Sequence, residues 1–402
     1  MTDAIRNQYR RSARRITGSF ASLVERKTAT IATCIRLSEH EALARSMAWL
    51  TVTAESTKMP LETMAPGSDP KCDRFRRLNL AMSDRVDRDS RPTGKRPLKV
   101  GLHLPNADSM IPDATARWSE MVAIARRAEA LGFDSIWVMD HLLFRFPGWE
   151  TSPVGVWEGW SLLAALAAAT ERVELGPLVT CTNFRNPALL AKMADTVDEI
   201  SGGRLVLGLG AGWNEPEFRA FGYPYDHRAS RFEEALIIIT TLLRDGSIDF
   251  AGSYYTAREC ELHPRGPRSH GPPIMVGTTG ERMLRLAACH ADQWNAAWIN
   301  QATEIPPLRA LVDAACTDVG RDPTTLARTV ALMIDLPGHQ RRPDDVVATV
   351  REGAATGQPE ELAALLRAYA AEGIEHVEVW LDPCTLASVE AFAPVLELLD
   401  SG

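Results

Sequence analysis

Residues 185–214 read RNPALLAKMADTVDEISGGRLVLGLGAGWN, and they hold one complete unit of an alternating architecture. From Pro187 to Ser201 the apolar side chains recur at helical spacing, while Leu205–Gly210 is a short apolar run that suits a buried strand. Gly202-Gly203 breaks the chain between them. Working outward, the hydrophobic period switches repeatedly between 3.6 and two. Strands are predicted at Lys99–Leu104, Ser135–Asp140, Val173–Thr180, Leu205–Gly210, Pro273–Gly277, Asp292–Ala296, Thr329–Leu336 and His376–Leu381. Amphipathic helices are predicted at Thr115–Leu131, Trp157–Thr170, Pro187–Ser201, Ala229–Arg244, Glu281–Cys289, Thr303–Val319, Pro359–Ala371 and Leu386–Leu399. Eight strands, each followed by a helix, are the count of an α/β (β/α)8 TIM barrel. An open doubly wound sheet uses the same alternation and is the alternative. Ile248–Arg265 reads as a small hairpin inserted before the fifth strand, turning at Gly252-Ser253.

The barrel accounts for residues 98–402. The preceding 97 residues carry 19 Lys and Arg against 11 Asp and Glu, a balance of +8. The barrel part carries 25 against 41, a balance of -16, which argues against nucleic acid as its partner. The 1–97 segment lacks the apolar periodicity of a core and is expected to be a poorly structured basic extension. Met82, followed by polar residues leading into the first strand, is the expected natural start, which would make residues 1–81 a start-site artefact. Seven scattered Cys without a C-x-x-C pair suit free thiols and a cytoplasmic location. Arg10-Arg11 and Arg14-Arg15 are not read as an export signal, because Glu25, Arg26 and Lys27 soon interrupt the apolar stretch that follows. No run approaches eighteen apolar residues, so no membrane span is expected.

Barrel chemistry gathers at the C-terminal strand ends. Of the two barrel lysines, Lys99 starts a strand at the far face and Lys192 lies within a helix, so Schiff-base chemistry has no nucleophile. Asp140-His141 is the single His–carboxylate pair at a strand end, too little for a metal-dependent hydrolase, and no metal is expected. Gly, Trp, Thr and Asn dominate the remaining ends: Thr180–Asn183, Gly210–Asn214 and Gly277–Gly280. That inventory suits a large planar cofactor. Gly277-Thr278-Thr279-Gly280, between a strand and a helix, can form an anion seat from free N–H groups and two hydroxyls, with Arg282 or Arg285 adding charge. An ordinary Thr N-cap is the plainer reading. Gly208–Trp213 fits neither a dinucleotide fingerprint nor more than a tight turn by itself. His141 is the candidate acid or base, Asp140 its partner, and His103 a weaker candidate within the first strand. Pro177 predicts a bulge in the third strand.

Three stretches, AEALGFDSIWVMDHL (128–142), RNPALLAKMADTVDEISGGRLVLGLGAGWN (185–214) and PPIMVGTTGERMLRLAACHADQWN (272–295), resemble the bacterial luciferase-like family of flavin- and deazaflavin-dependent oxidoreductases. The resemblance covers nearly all of 98–402 and none of 1–97. It implies FMN or the deazaflavin coenzyme F420 at the barrel mouth, often in a homodimer or homotetramer. A separate reductase supplying the reduced cofactor is a further partner the resemblance implies. It further implies a non-proline cis peptide near Val179–Cys181. Asp140, His141, Thr180 and Asn183 would lie near the tricycle, Gly210, Gly212 and Trp213 along the pocket, and Gly277, Thr278, Thr279 and Gly280 at the phosphate. In the deazaflavin sugar-phosphate dehydrogenases of this family the matching His is a base and a Glu follows the fourth strand. Here Trp213 stands in that neighbourhood, which speaks against a sugar phosphate. The first-strand end, His103-Leu104-Pro105-Asn106, also departs from that of the alkanesulfonate-type monooxygenases.

The resulting expectation is F420-dependent hydride transfer to or from a small organic substrate. FMN-dependent monooxygenation with O2 is the first alternative, and a non-catalytic flavin- or ligand-binding barrel the second. The choice of deazaflavin rests on the excess of Arg over Lys, as in translations from GC-rich genomes. Apolar and aromatic residues in the loops 142–156, 215–227 and 299–307, among them Phe144, Phe146, Trp149, Phe218, Phe221, Tyr223 and Tyr225, suggest an uncharged or partly apolar substrate.

Overall fold

A computed structural model describes residues 96–112, 114–145, 154–336 and 353–401, all within the unit Pro66–Gly402. The expectations for residues 1–95, and for Phe146 and Trp149, lie outside these residues. The predicted strands appear as β1 (Lys99–His103), β2 (Ser135–Val138), β3 (Glu174–Pro177), β4 (Thr180–Cys181), β5 (Leu207–Gly210), β6 (Ile274–Gly277), β7 (Gln293–Ala297), β8 (Ala327–Asp335) and β9 (His376–Asp382). They form one parallel sheet in the order β3-β2-β1-β9-β8-β7-β6-β5-β4. Its two ends, β3 and β4, are successive pieces of one stave. The backbone bonds Leu175 N→Arg204 O (3.0 Å) and Val206 N→Leu175 O (2.8 Å) close the ring there. The fold is a (β/α)8 barrel, and the open-sheet alternative falls.

The third stave is split where Pro177 removes a ladder donor. The Leu178–Val179 peptide between its halves is cis, one position before the expected interval. Helices α1 (Trp118–Leu131), α2 (Gly159–Ala169), α3 (Pro187–Ser201), α4 (Glu215–Phe221), α5 (Arg228–Asp245), α6 (Glu281–His290), α7 (Ile305–Asp318), α8 (Pro359–Ala371) and α9 (Leu386–Ser401) surround the sheet. α3 shows why the opening stretch is so legible. The Asn186 side chain caps the N–H groups of Ala188 and Leu189, Pro187 occupies the first turn, and Gly202 takes the left-handed C-cap at φ 68°. One expected loop holds a helix instead, α4 within 215–227, while α7 begins at Ile305 inside the predicted Thr303–Val319 helix. The insertion forms the predicted hairpin, Ser247–Ala251 against Thr256–Glu261. Its turn is seated on α5, where the Glu234 carboxylate accepts from the N–H groups of Ser253, Tyr254 and Tyr255.

Trp137 plugs the lower barrel. It is fully buried, and a Cβ at Gly176 would lie 2.2 Å from its ring, so the third stave approaches only because that residue is Gly. Its Nε1 donates to Ser135 Oγ at 2.6 Å, and Ser135 Oγ lies 2.8 Å from His376 Nε2. Burial holds His376 at about 3, so this ring is neutral inside the barrel. Above it, Asn295 donates to Thr329 Oγ1 (2.8 Å) and Glu378 Oε2 (2.9 Å). Burial pushes the Glu378 carboxyl well above its usual range. With the base filled, the barrel is open at its C-terminal mouth.

Cys181, Cys260 and Cys316 are free thiols, whereas Cys289 is disulfide-bonded, against the expectation for it. Among the described residues no helix is long and apolar enough to cross a membrane.

Candidate active site

A cavity of about 630 Å³ opens at the C-terminal strand ends, with walls from both halves of the third stave and from most other strands. His141 leaves β2 at its rim, and its Nδ1 lies 2.8 Å from Glu217 Oε1. The second Glu217 oxygen accepts from the Leu142 N–H at 3.0 Å. A fully buried carboxylate thus fixes the Nδ1–H tautomer and leaves Nε2 as the nitrogen that can serve the cavity. Phe144 packs on the imidazole at 4.3 Å between ring centroids, and Trp213 stands edge-on at 5.8 Å.

Glu217 is not among the residues expected from the sequence. The acidic side chain of this neighbourhood lies one helical turn beyond Trp213, in α4, where a loop is expected. The visible signal was the acidic first turn of α4, Glu215-Pro216-Glu217.

Asp140 requires a correction. Rather than supporting His141, its carboxylate receives the Arg185 guanidinium at 2.6 and 2.9 Å and accepts from the Cys181 N–H at 2.9 Å. Asp140 is 1% exposed and acts as an anchor that ties the end of β2 to the third stave. Asn183 also departs from expectation. Its amide donates to Ala211 O (2.8 Å) and its oxygen accepts from Tyr255 Oη (3.3 Å), which places it behind the wall. Tyr223 and Tyr225 pack with Phe184 and Phe218 instead of shaping the pocket, and Tyr225 Oη holds Trp213 O at 3.0 Å.

Thr180 lies in the wall, fully buried, with its Oγ1 unpartnered. Gly210 and Gly277 line the cavity, and both accommodate Val179, whose nearest methyl group would lie 2.7 Å from a Cβ at Gly210 and 3.1 Å from one at Gly277. Their smallness admits the third-stave bulge. Gly212, at φ +75°, faces Cys181 and Phe218 as well as the cavity. Burial pushes the Cys181 thiol up, so it is no nucleophile.

Thr278 and Thr279 line the cavity directly before α6, and Gly280 is the N-cap with no side-chain cap. Gly280 itself lies just outside the lining, its N–H bonded to Thr278 Oγ1 at 3.2 Å. Arg282 is committed to Glu233 (2.8 Å) and Ser230 (3.1 Å). The first N–H groups of α6 are the backbone donors that an anion at this corner would meet.

These residues fit a flavin or deazaflavin. The mouth is apolar, a buried hydroxyl is unsatisfied at the bulge, and a helix start and two Thr lie beside it. Among the described residues no cluster of three or more His, Cys, Asp or Glu is placed to hold a metal.

Residues 98–337 match the luciferase-like monooxygenase family, and the chain belongs to it. Similar curated proteins include a phthiodiolone/phenolphthiodiolone dimycocerosates ketoreductase of Mycobacterium sp. strain JLS, 31% identical over 55% of this chain and 61% of the relative. Another is an F420-dependent hydroxymycolic acid dehydrogenase of Mycobacterium tuberculosis, 34% identical over 54% of this chain and 59% of the relative. The chain thus spans about three fifths of the length of these two relatives. In fold it resembles an F420-dependent secondary alcohol dehydrogenase solved with an F420–acetone adduct, with a TM-score of 0.62 at 19% identity. That match covers 75% of this chain and 99% of the other.

Proposed function

We propose that this chain is an F420-dependent oxidoreductase that interconverts a ketone and a secondary alcohol. The observation that carries this reading is the His141–Glu217 pair at the rim of an apolar cavity. Bound F420 would supply the carbon that accepts or returns the hydride. Thr180, Gly210, Gly212 and Trp213 would line its ring, while Thr278, Thr279 and the start of α6 would take its phosphate. As the alcohol is oxidised, His141 Nε2 removes the hydroxyl proton, and Glu217 stabilises the resulting imidazolium through Nδ1–H. In the reverse direction the same nitrogen returns the proton to the carbonyl oxygen. Apolar walls exclude water from this exchange. Two relatives support the substrate class, one named a ketoreductase and one an F420-dependent dehydrogenase of a hydroxy acid.

FMN-dependent monooxygenation is the second reading, favoured by the description of the matched family. A non-catalytic barrel is disfavoured by the buried carboxylate spent on orienting one rim imidazole.

The test is anaerobic incubation with oxidised F420 and a panel of secondary alcohols, following loss of the cofactor's absorbance. The expected result is turnover that His141→Ala lowers by about 100-fold or more with cofactor affinity nearly intact. Turnover only with reduced FMN and O2 would establish the monooxygenase instead.

A further inference from the structure

The reaction at His141 leaves a second polar patch of the cavity unused. Leu102 pairs with Val379 in the β1–β9 ladder, which sets His103 beside Trp380 on the inner face. Their ring centroids are 4.3 Å apart with planes at 82°. His103 Nδ1 lies 2.9 Å from Leu104 O, and a carbonyl oxygen only accepts, so Nδ1 carries the proton and Nε2 presents a lone pair. Burial holds this imidazole at about 3, which keeps it neutral. Both His103 Nε2 and Trp380 Nε1 are buried without a partner in the protein, and both residues line the cavity. Two orphaned polar atoms on neighbouring rings of the cavity wall are unfavourable for the empty protein and point to a ligand group that satisfies them.

One lone pair beside one N–H matches a neutral hydroxyl, which donates to the first and accepts from the second. A carboxylate or phosphate would repel the lone pair, and an ammonium would repel the N–H. The position in the ring separates this patch from the cofactor wall. Counting the split third stave as one, β1 stands opposite β6 and β9 opposite β5. The pair therefore faces Gly210 and Gly277 across the mouth.

We propose that His103 and Trp380 form a hydroxyl seat for a second, non-reacting neutral hydroxyl of the substrate, so that the preferred substrates are hydroxylated ketones and the matching diols. This rests on the reading of the cavity as an F420-dependent oxidoreductase site.

The experiment compares methyl ketones of graded chain length with the same ketones bearing a terminal hydroxyl. With reduced F420, the hydroxylated member at the best length is favoured in kcat/KM by about tenfold, carried mainly by KM. His103→Leu and Trp380→Phe each bring that ratio toward one, and His103→Gln, which keeps an acceptor, restores part of it. F420 affinity, measured by fluorescence titration, stays within about twofold in all three variants. An equilibrium readout accompanies the kinetics: quenching of tryptophan fluorescence by each ketone with oxidised F420 bound. A ratio near one in the wild type, or one unchanged in both loss variants, overturns the seat. Loss of F420 affinity in both variants assigns the pair to the cofactor edge and also overturns it. If the wild type binds no F420, the parent reading fails. The quenching comparison on the protein alone then still decides the seat, since equal affinity for both ketones refutes it.

Discussion

Replacing Glu217 with Gln changes one atom and tests how His141 is set up. The carboxylate meets two donors, the His141 ring at 2.8 Å and the Leu142 N–H at 3.0 Å, and is itself fully buried. Gln offers one acceptor and one NH2 to the same two groups. If its oxygen stays on Leu142, the NH2 faces Nδ1, which must then accept, and the ring proton moves to Nε2. The nitrogen needed as base is thereby blocked. If the oxygen turns to Nδ1, the Leu142 N–H loses its partner and the forming imidazolium loses its counter-charge. Either way the site forfeits one charge-assisted hydrogen bond of about 1.5–3 kcal/mol. Converted to a rate, that is a fall of about 10- to 150-fold in kcat for alcohol oxidation. The assay is steady-state turnover followed by F420 absorbance, with F420 affinity titrated separately. Turnover within twofold of the wild type, with the cofactor bound, would refute the role given to Glu217.

Two further predictions concern the anchors of the barrel. Arg185→Met leaves the buried Asp140 carboxylate without its bidentate partner. Urea unfolding should report a loss of about 3–5 kcal/mol, and a loss under about 1 kcal/mol would show that Asp140 does not depend on this pair. His376 is held at about 3 in the folded chain against 6.5 unfolded, so the unfolded state binds the extra proton between those values. Its contribution is complete above pH 6.5 and is lost as pH falls toward 3. Unfolding free energies measured at pH 7 and pH 4 should therefore differ less in His376→Gln than in the wild type.

The barrel was legible because each strand and helix is a local pattern. Strong local signals such as Asn186-Pro187 and Gly202 mark where one ends and the next begins. The split in the third stave was legible for the same reason, since Pro177 acts on its own backbone. The site was less so. His141 lies at the strand end that its place in the sequence indicates, but the carboxylate bonded to it is Glu217, whereas Asp140 pairs with Arg185. Successive residues leaving a strand point to opposite sides, so adjacency in sequence separated the two side chains instead of joining them. Glu217 reaches His141 from α4, 76 residues away, and that approach depends on how the helix docks. His103 and Trp380 meet across strands 277 positions apart in the numbering, which no local pattern encodes. Gly210 was read as room for a cofactor, whereas the room is first of all taken by Val179.

The central claim is tested most directly by parallel fluorescence titrations of the protein with oxidised F420 and oxidised FMN. The account predicts saturable binding of F420 at micromolar concentrations, with FMN at least about tenfold weaker. Tighter binding of FMN, or binding of neither, would contradict it.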